Sequence, residues 1–267
     1  MIPTIYLTWF NYLCPYFGSA LIRLVSMDGG SGMVLAGKLF KLSEYLDIDS
    51  VAGRLRGFRR EEFVDIEGHE FKPVTEIVDL RIGEGRLFGV FSEDLIFTTI
   101  FRGEVVPVPT TREAPFVFSP HPLQEEMMVF ILEKKARANN IANKLSQVLF
   151  IEGGRILEAR ITHETLKTLH EGNPEATRIT FFDDVDLPNI DKLSLYGAGL
   201  ADTSLYSDYL KHGKIWYVVY ESQKQDFTVG ITRNCVVTVF SKAERGQIFE
   251  FVLDELVPLV ELAPREE

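Results

Sequence analysis

Three short apolar runs followed by one amphipathic stretch close the chain, and that order restricts the fold more than any other feature. Residues 214–220 form an apolar run of strand length, and residues 227–232 alternate apolar with small or polar side chains. Arg233-Asn234 can turn the chain, and residues 235–240 repeat the strand pattern. Ser241 and Glu244 then have the spacing of a capping box, in which side chains satisfy the free amides of a helix start. Ile248, Val252, Leu256 and Leu259 fall on one face of the helix that follows. The expected unit is a β meander covered by a helix.

The same order appears earlier. Strand candidates lie at 33–41, 74–80, 86–91, 95–101 and 105–108, with turns at 83–85, 92–94 and 102–103. A helix capped by Asp49 or Ser50 runs to about Gly57. Pro107, Pro109, Pro115, Pro120 and Pro122 predict an irregular or edge segment. Residues 127–132 read as a buried strand, and a helix from about 134 to 150 has Ala138, Ile141, Ala142, Leu145, Val148 and Leu149 as its apolar stripe. Beyond Gly153-Gly154, strands are expected at 155–161, 176–182 and 192–197, a helix capped by Thr162 ends near Gly172, and residues 206–210 make a helical turn. The predicted class is α+β, with two antiparallel β-meander plus covering-helix halves at 33–152 and 153–267.

A chain of 267 residues with 46% apolar content can bury a sizeable core. A net charge of −11 opposes uniform coating by nucleic acid or anionic lipid but allows a local basic patch. Cys14 and Cys235 form no metal-type pair, so a reducing cytoplasm is the expected location. Residues 1–26 are aromatic and apolar but are interrupted by Pro3, Asn11 and Pro15, which makes a poor membrane span, and no integral membrane association is expected. The glycine-rich stretch 27–33 reads as a hinge, so 1–32 is expected to be a flexible or non-native extension, with a membrane or partner anchor as the competing reading.

Three segments carry a resemblance to a known family: residues 37–43 followed by an amphipathic helix, the strand and helix at 127–149, and Gly153-Gly-Arg-Ile-Leu-Glu-Ala-Arg160 with Leu166, 177–181 and 191–195. Together they resemble the bacterial recombination-associated protein RdgC family. That resemblance implies a DNA-binding protein without sequence specificity that assembles as a ring-shaped dimer. The C-terminal strands and helix are also similar to half of a TATA-binding-protein-type repeat, which speaks to fold alone.

Candidate chemistry is sparse. Residues 32–38 nearly match a phosphate-binding loop, but Leu39 replaces the hydroxyl that would ligate magnesium. Glu133 and Lys135 after an apolar strand suggest a PD-(D/E)xK nuclease, for which Asp94 is the best second carboxylate. Asp183, Asp184, Asp186 and Asp191 read as a solvated acidic loop. His163-Glu164 lacks the second histidine of a zinc helix, His170 lies two turns on, and His69, His121 and His212 are isolated. No metal, cofactor or catalytic residue is expected. Two basic clusters remain: Arg54, Arg56, Arg59 and Arg60, and Lys134, Lys135, Arg137 and Lys144. Cations of this kind hold phosphates without reading bases. The expected function is therefore a non-catalytic binding protein, with DNA and a second copy of the chain as partners. A magnesium-dependent nuclease and a protein–protein interaction module are the alternatives.

Overall fold

The computed structural model describes residues 34–261 apart from 124, 174 and 223. The expected extension at 1–32 lies outside the described residues. The fold is α+β, with an antiparallel sheet and helices on both of its faces.

The chain begins with β1 (Leu35–Leu42) and α1 (Ile48–Leu55). Then come β2 (Arg59–Glu61), a small separate hairpin of β3 (Val64–Ile66) and β4 (His69–Phe71), β5 (Val74–Gly83), β6 (Arg86–Phe101), β7 (Glu104–Pro120), β8 (Met127–Ile131) and α2 (Lys135–Phe150). The remainder is β9 (Ile156–Glu158), α3 (His163–Gly172), β10 (Thr177–Asp183), β11 (Leu193–Tyr196), α4 (Ser204–His212), β12 (Lys214–Ser222), β13 (Phe227–Thr232), β14 (Val236–Val239) and α5 (Arg245–Phe251).

Strand order is β11-β10-β12-β13-β14-β1-β8-β7-β6-β5-β2, and every pairing is antiparallel. β1 therefore sits in the middle. One edge pairs with β8, Lys38 opposite Ile131. The other pairs first with β14, Leu35 opposite Val239, and then with β9, Leu42 opposite Ile156. Residues 33–152 and 153–267 thus share one sheet.

Alternation along the strands sends side chains to two cores. Phe40 and Leu42 face α1 and α2, in a core with Phe116, Val129, Ile141 and Leu145. Leu39 and Phe130 face the opposite side, where α3, α4 and α5 cover the second half through Leu166, Tyr206, Ile248 and Phe251. Phe249 of α5 meets Phe88 and Phe130 edge-on at 6.2 and 5.9 Å, so this helix reaches over both halves.

Local chemistry explains where the observed elements depart from the expected ones. The proline-rich segment is not irregular: β7 pairs with β6 without a break from Leu87–Phe118 to Phe101–Glu104. Pro107, Pro109 and Pro115 share one parity, and the Pro115 carbonyl accepts from Leu132 N–H at 2.9 Å. Backbone groups of that parity point away from β6, so the prolines break no bond of the pair. The expected turn at 92–94 is part of continuous β6, and Arg102-Gly103, with φ of 53° and 89°, makes the turn. Helix α5 starts at Arg245, because Glu244 N–H donates to Gln247 Oε1 at 2.9 Å; Ser241 instead accepts from Thr228 N–H at 2.9 Å.

Gly37 lies in β1 beneath the Phe130 ring. A Cβ there would stand 2.1 Å from Phe130 Cζ and 3.1 Å from the Ile131 carbonyl. Because β1 is held on both edges, it cannot move away. Gly37→Ala should cost about 1–3 kcal/mol, the usual range for overpacking, measured as a lowered urea midpoint with an unchanged denaturant slope.

Candidate functional site: a central cleft and a projecting β arm

Helices α1 and α2 pack together on one face, which brings the two predicted basic clusters to the same side of the sheet. Most of their charge is already engaged. Arg59 pairs with Glu61 and Glu76 at 2.9 and 2.8 Å, and Arg60 with Glu62 at 3.0 Å. Arg137 binds Glu133 at 2.5 Å and the Arg112 carbonyl at 2.9 Å. Lys144 pairs with Glu93, and Arg54 donates to the Leu149 carbonyl at the end of α2. Lys134 immediately precedes α2, and burial lowers its pKa. Arg56 and Lys135 have no carboxylate partner among the described residues.

The nuclease-like residues are separated by the backbone. Lys135 is the first residue of α2, so it shares no strand face with Glu133. Both Glu133 oxygens are occupied, by Lys134 N–H and by Arg137. Asp94 accepts from Val74 N–H at 3.0 Å and Thr111 at 2.6 Å, which lowers its pKa. Lys38, from the near-match to a phosphate loop, is fully buried within β1 and binds Glu158 and, at 2.8 Å, Asn139. Among the described residues, no three His, Cys, Asp or Glu side chains are grouped to hold a metal.

A cleft of about 690 Å³ opens where β9, α3, β10, β12 and the β13–β14 turn meet the start of α2. Its charged lining mixes Lys135, Arg160, Lys214 and Arg233 with Glu158, Glu164, Asp183 and Glu261. Arg233 binds Asp183 at 2.5 Å, and Lys214 lies 3.7 Å from Asp184. Burial raises the Asp183 pKa against the pull of Arg233, and its Oδ1 has no partner among the described residues. The hydroxyls are in structural use: Thr162 caps α3 through Thr165 N–H, and Thr232 accepts from Val236 N–H. His163 Nδ1 accepts from Ile215 N–H at 2.8 Å, and burial lowers its pKa, so the ring is neutral with its proton on Nε2. The cleft presents donors and charges suited to holding a polar group. Sequence reading placed only Lys135 here as a ligand-binding residue, because the other lining residues come from distant segments.

The acidic loop is similarly occupied, with Asp186 2.8 Å from His212 Nδ1. His170 is 1% exposed against the Tyr206 ring at 4.6 Å, and burial lowers its pKa; His121 is also buried with a lowered pKa. His69 is exposed beside Phe71.

The second feature is an arm. β5 accompanies β6 only to Glu93, and β8 accompanies β7 only over Phe116–Pro120. Residues 95–111 of the β6–β7 pair therefore project about 23 Å, at about 3.3 Å per residue. Phe97, Ile100, Phe101, Val105 and Val108 are exposed there, Ile100 at 76%. Arg102 and Glu104 are the charged residues of this stretch.

The chain matches no family model and no curated protein. No helix among the described residues is long and apolar enough to cross a membrane.

Buried His121 and His170 and half-buried His163, all with lowered pKa, set a pH dependence. A histidine with a folded-state pKa below 6.5 binds its proton more weakly when folded. Its contribution is complete above about pH 6.5 and is lost as pH falls toward the lowered value. His163→Asn keeps an acceptor for Ile215 N–H but cannot titrate. The drop in urea midpoint from about pH 7.5 to about pH 5.5 should be smaller in this variant, with His121 and His170 supplying the rest.

Proposed function

We propose that this chain is a non-catalytic binding protein that assembles through its β arm. The supporting observation is the contrast between the arm's two edges. Pro107 and Pro109 remove donors from the outer edge of β7, which blunts it against pairing. The outer edge of β6 from Leu95 to Phe101 has no proline, and exposed apolar side chains flank it. Such an edge recruits a strand, with backbone bonds supplying affinity and side chains supplying specificity. A second copy meets it most simply, because antiparallel β6–β6 pairing is self-complementary about a two-fold axis.

Thr98 lies opposite Pro107, so its N–H also points away from β7. Thr98→Pro deletes an outer donor without cutting the arm's own ladder. The native chain should sediment as a dimer at tens of micromolar, and Thr98→Pro should shift it to monomer with unchanged circular dichroism. A native chain that is monomeric throughout this range rules the assembly out.

A second reading, binding of DNA through phosphate contacts, is favoured by the placement of α1 and α2 side by side and agrees with the RdgC-like segments. Among the described residues, Arg56 and Lys135 are the cations of those clusters without a carboxylate or carbonyl partner, so two phosphate contacts are expected. The logarithm of affinity should then fall against the logarithm of salt with a slope of about −1.8, since each contact contributes about −0.9. Arg56→Glu should weaken binding to all sequences equally. Flat fluorescence anisotropy with duplex DNA at low salt would exclude this reading.

A further inference from the structure

The segment that joins β9 to α3 crosses one end of the sheet. Ala159 N–H donates to the Leu39 carbonyl at 3.4 Å, Ile161 N–H to the Arg233 carbonyl at 2.8 Å, and Ile215 N–H to His163 Nδ1 at 2.8 Å. Residues 159–163 therefore run from β1 over the β13–β14 turn to β12, and residues 160–163 form one wall of the cleft of about 690 Å³. Asp183 at the end of β10 and Lys214 at the start of β12 lie opposite one another and line the same cleft. Helix α2 begins on the β1 side, since Asn139, one turn into it, accepts from Lys38. A cleft of this size suits a small molecule.

Its charges divide into engaged and unengaged groups. Glu158 is taken by Lys38, Arg233 by Asp183, and Lys214 lies near Asp184. Among the described residues, Lys135 and Arg160 have no carboxylate partner, and Glu164 and Glu261 have no cationic one. The unengaged cations lie on the β1 side. Lys135 opens α2, whose first amides no side chain caps, and such a helix start also attracts an anion. Glu261 is exposed on this side, its N–H donating to the Arg160 carbonyl at 2.6 Å, and opposes the two cations only in part. On the β10–β12 side stand Glu164, in the first turn of α3, and the buried Asp183 Oδ1, which has no partner among the described residues. Burial raises the Asp183 pKa, so a second cation there would favour its charged form. Between the two sides, Trp216 of β12 has a buried Nε1 donor, also unpartnered among the described residues. Buried polar atoms without partners are uncommon in folded proteins and mark where a ligand can bond.

We propose that this cleft binds a short zwitterionic peptide by its two ends, with the C-terminal carboxylate at Lys135 and Arg160 and the N-terminal ammonium at Asp183 and Glu164. Charge of both signs, set apart across the sheet end, fits a ligand with both charges better than a simple anion. Arg160 stands over the β13–β14 turn, and those strands are two and three places from β10, or about 10–14 Å at about 4.8 Å per strand. A free amino acid is too short for that separation, whereas an extended peptide of about three residues reaches about 10 Å. Trp216 Nε1 lies between the poles, where a peptide carbonyl would accept from it. The cleft takes no lining residue from β6 or β7, so binding here is independent of assembly through the arm.

The test is calorimetric titration of the full native chain with trialanine, N-acetyl-trialanine, trialanine amide, alanine and inorganic phosphate. Trialanine should saturate one site per chain. Removing either terminal charge should weaken it about tenfold or more, the value of a hydrogen bond to a charged group. The loss caused by Arg160→Gln should be absent when trialanine amide is the probe, and the loss caused by Asp183→Asn absent with N-acetyl-trialanine. No saturable binding of trialanine at millimolar concentration overturns the proposal. Equal binding of either blocked peptide or of alanine also overturns it, because the two ends would not then be held together. Phosphate binding as tightly as trialanine does the same, since the cleft would then take any anion. These outcomes are read on the native chain and stand even where a variant fails to fold.

Discussion

Pairing of β1 on both edges is the constraint on which the rest of the structure depends. Among the described residues, β1 is the one strand that pairs with both β14 and β8, and the short β9 also pairs with β1. Leu35 meets Val239, so closing this pairing encloses about two hundred residues of chain. Loop closure costs grow slowly with length, and a connection of this size is tolerable thermodynamically. Its consequence is kinetic, because long-range strand pairing delays folding. Neither half has its full complement of strands until β1 arrives.

A buried charge sits at this junction. Lys38 is fully buried, and burial lowers its pKa while Glu158 partly restores it. Asn139 of α2 and Glu158 of β9 satisfy its ammonium, and the Phe40 ring lies 5.0 Å away. A well-packed apolar residue commonly stabilises as much as such a pair. The ion pair adds direction: one ammonium fixes the helix and the short strand against β1 together. The nearby Cys235 is fully buried, and its thiol pKa is pushed up, so it packs as an inert apolar residue.

What the sequence made legible was local. Periodicity located α2, the β12–β13–β14 meander and the covering helix, because each is written in adjacent residues. For β7 it left irregular and edge structure open: Pro107 and Pro109 stand on the outer edge of a regular strand, because which edge a backbone group faces is a property of the pairing. It also could not foresee that Lys144 would meet Glu93 or that Arg59 would meet Glu76, since those partners lie on neighbouring elements. A basic run reads as a binding surface until its carboxylates are placed. The cleft was invisible for the same reason: Arg160, Lys214 and Arg233 become neighbours only through strand order.

Electrostatics and apolar surface therefore act in different places. The cations of α1 and α2 are mostly paired with carboxylates, and exposed pairs of this kind contribute little to stability while cancelling long-range attraction. On a chain with net charge −11, the field as a whole repels an anionic partner such as DNA. Uncovered apolar surface has the opposite property, because it gains wherever it is buried. Ile100 and Phe101 stand at the end of an arm that neither β5 nor β8 accompanies. The arm is suited to an external partner, because the strands that flank it, β5 and β8, end before its tip.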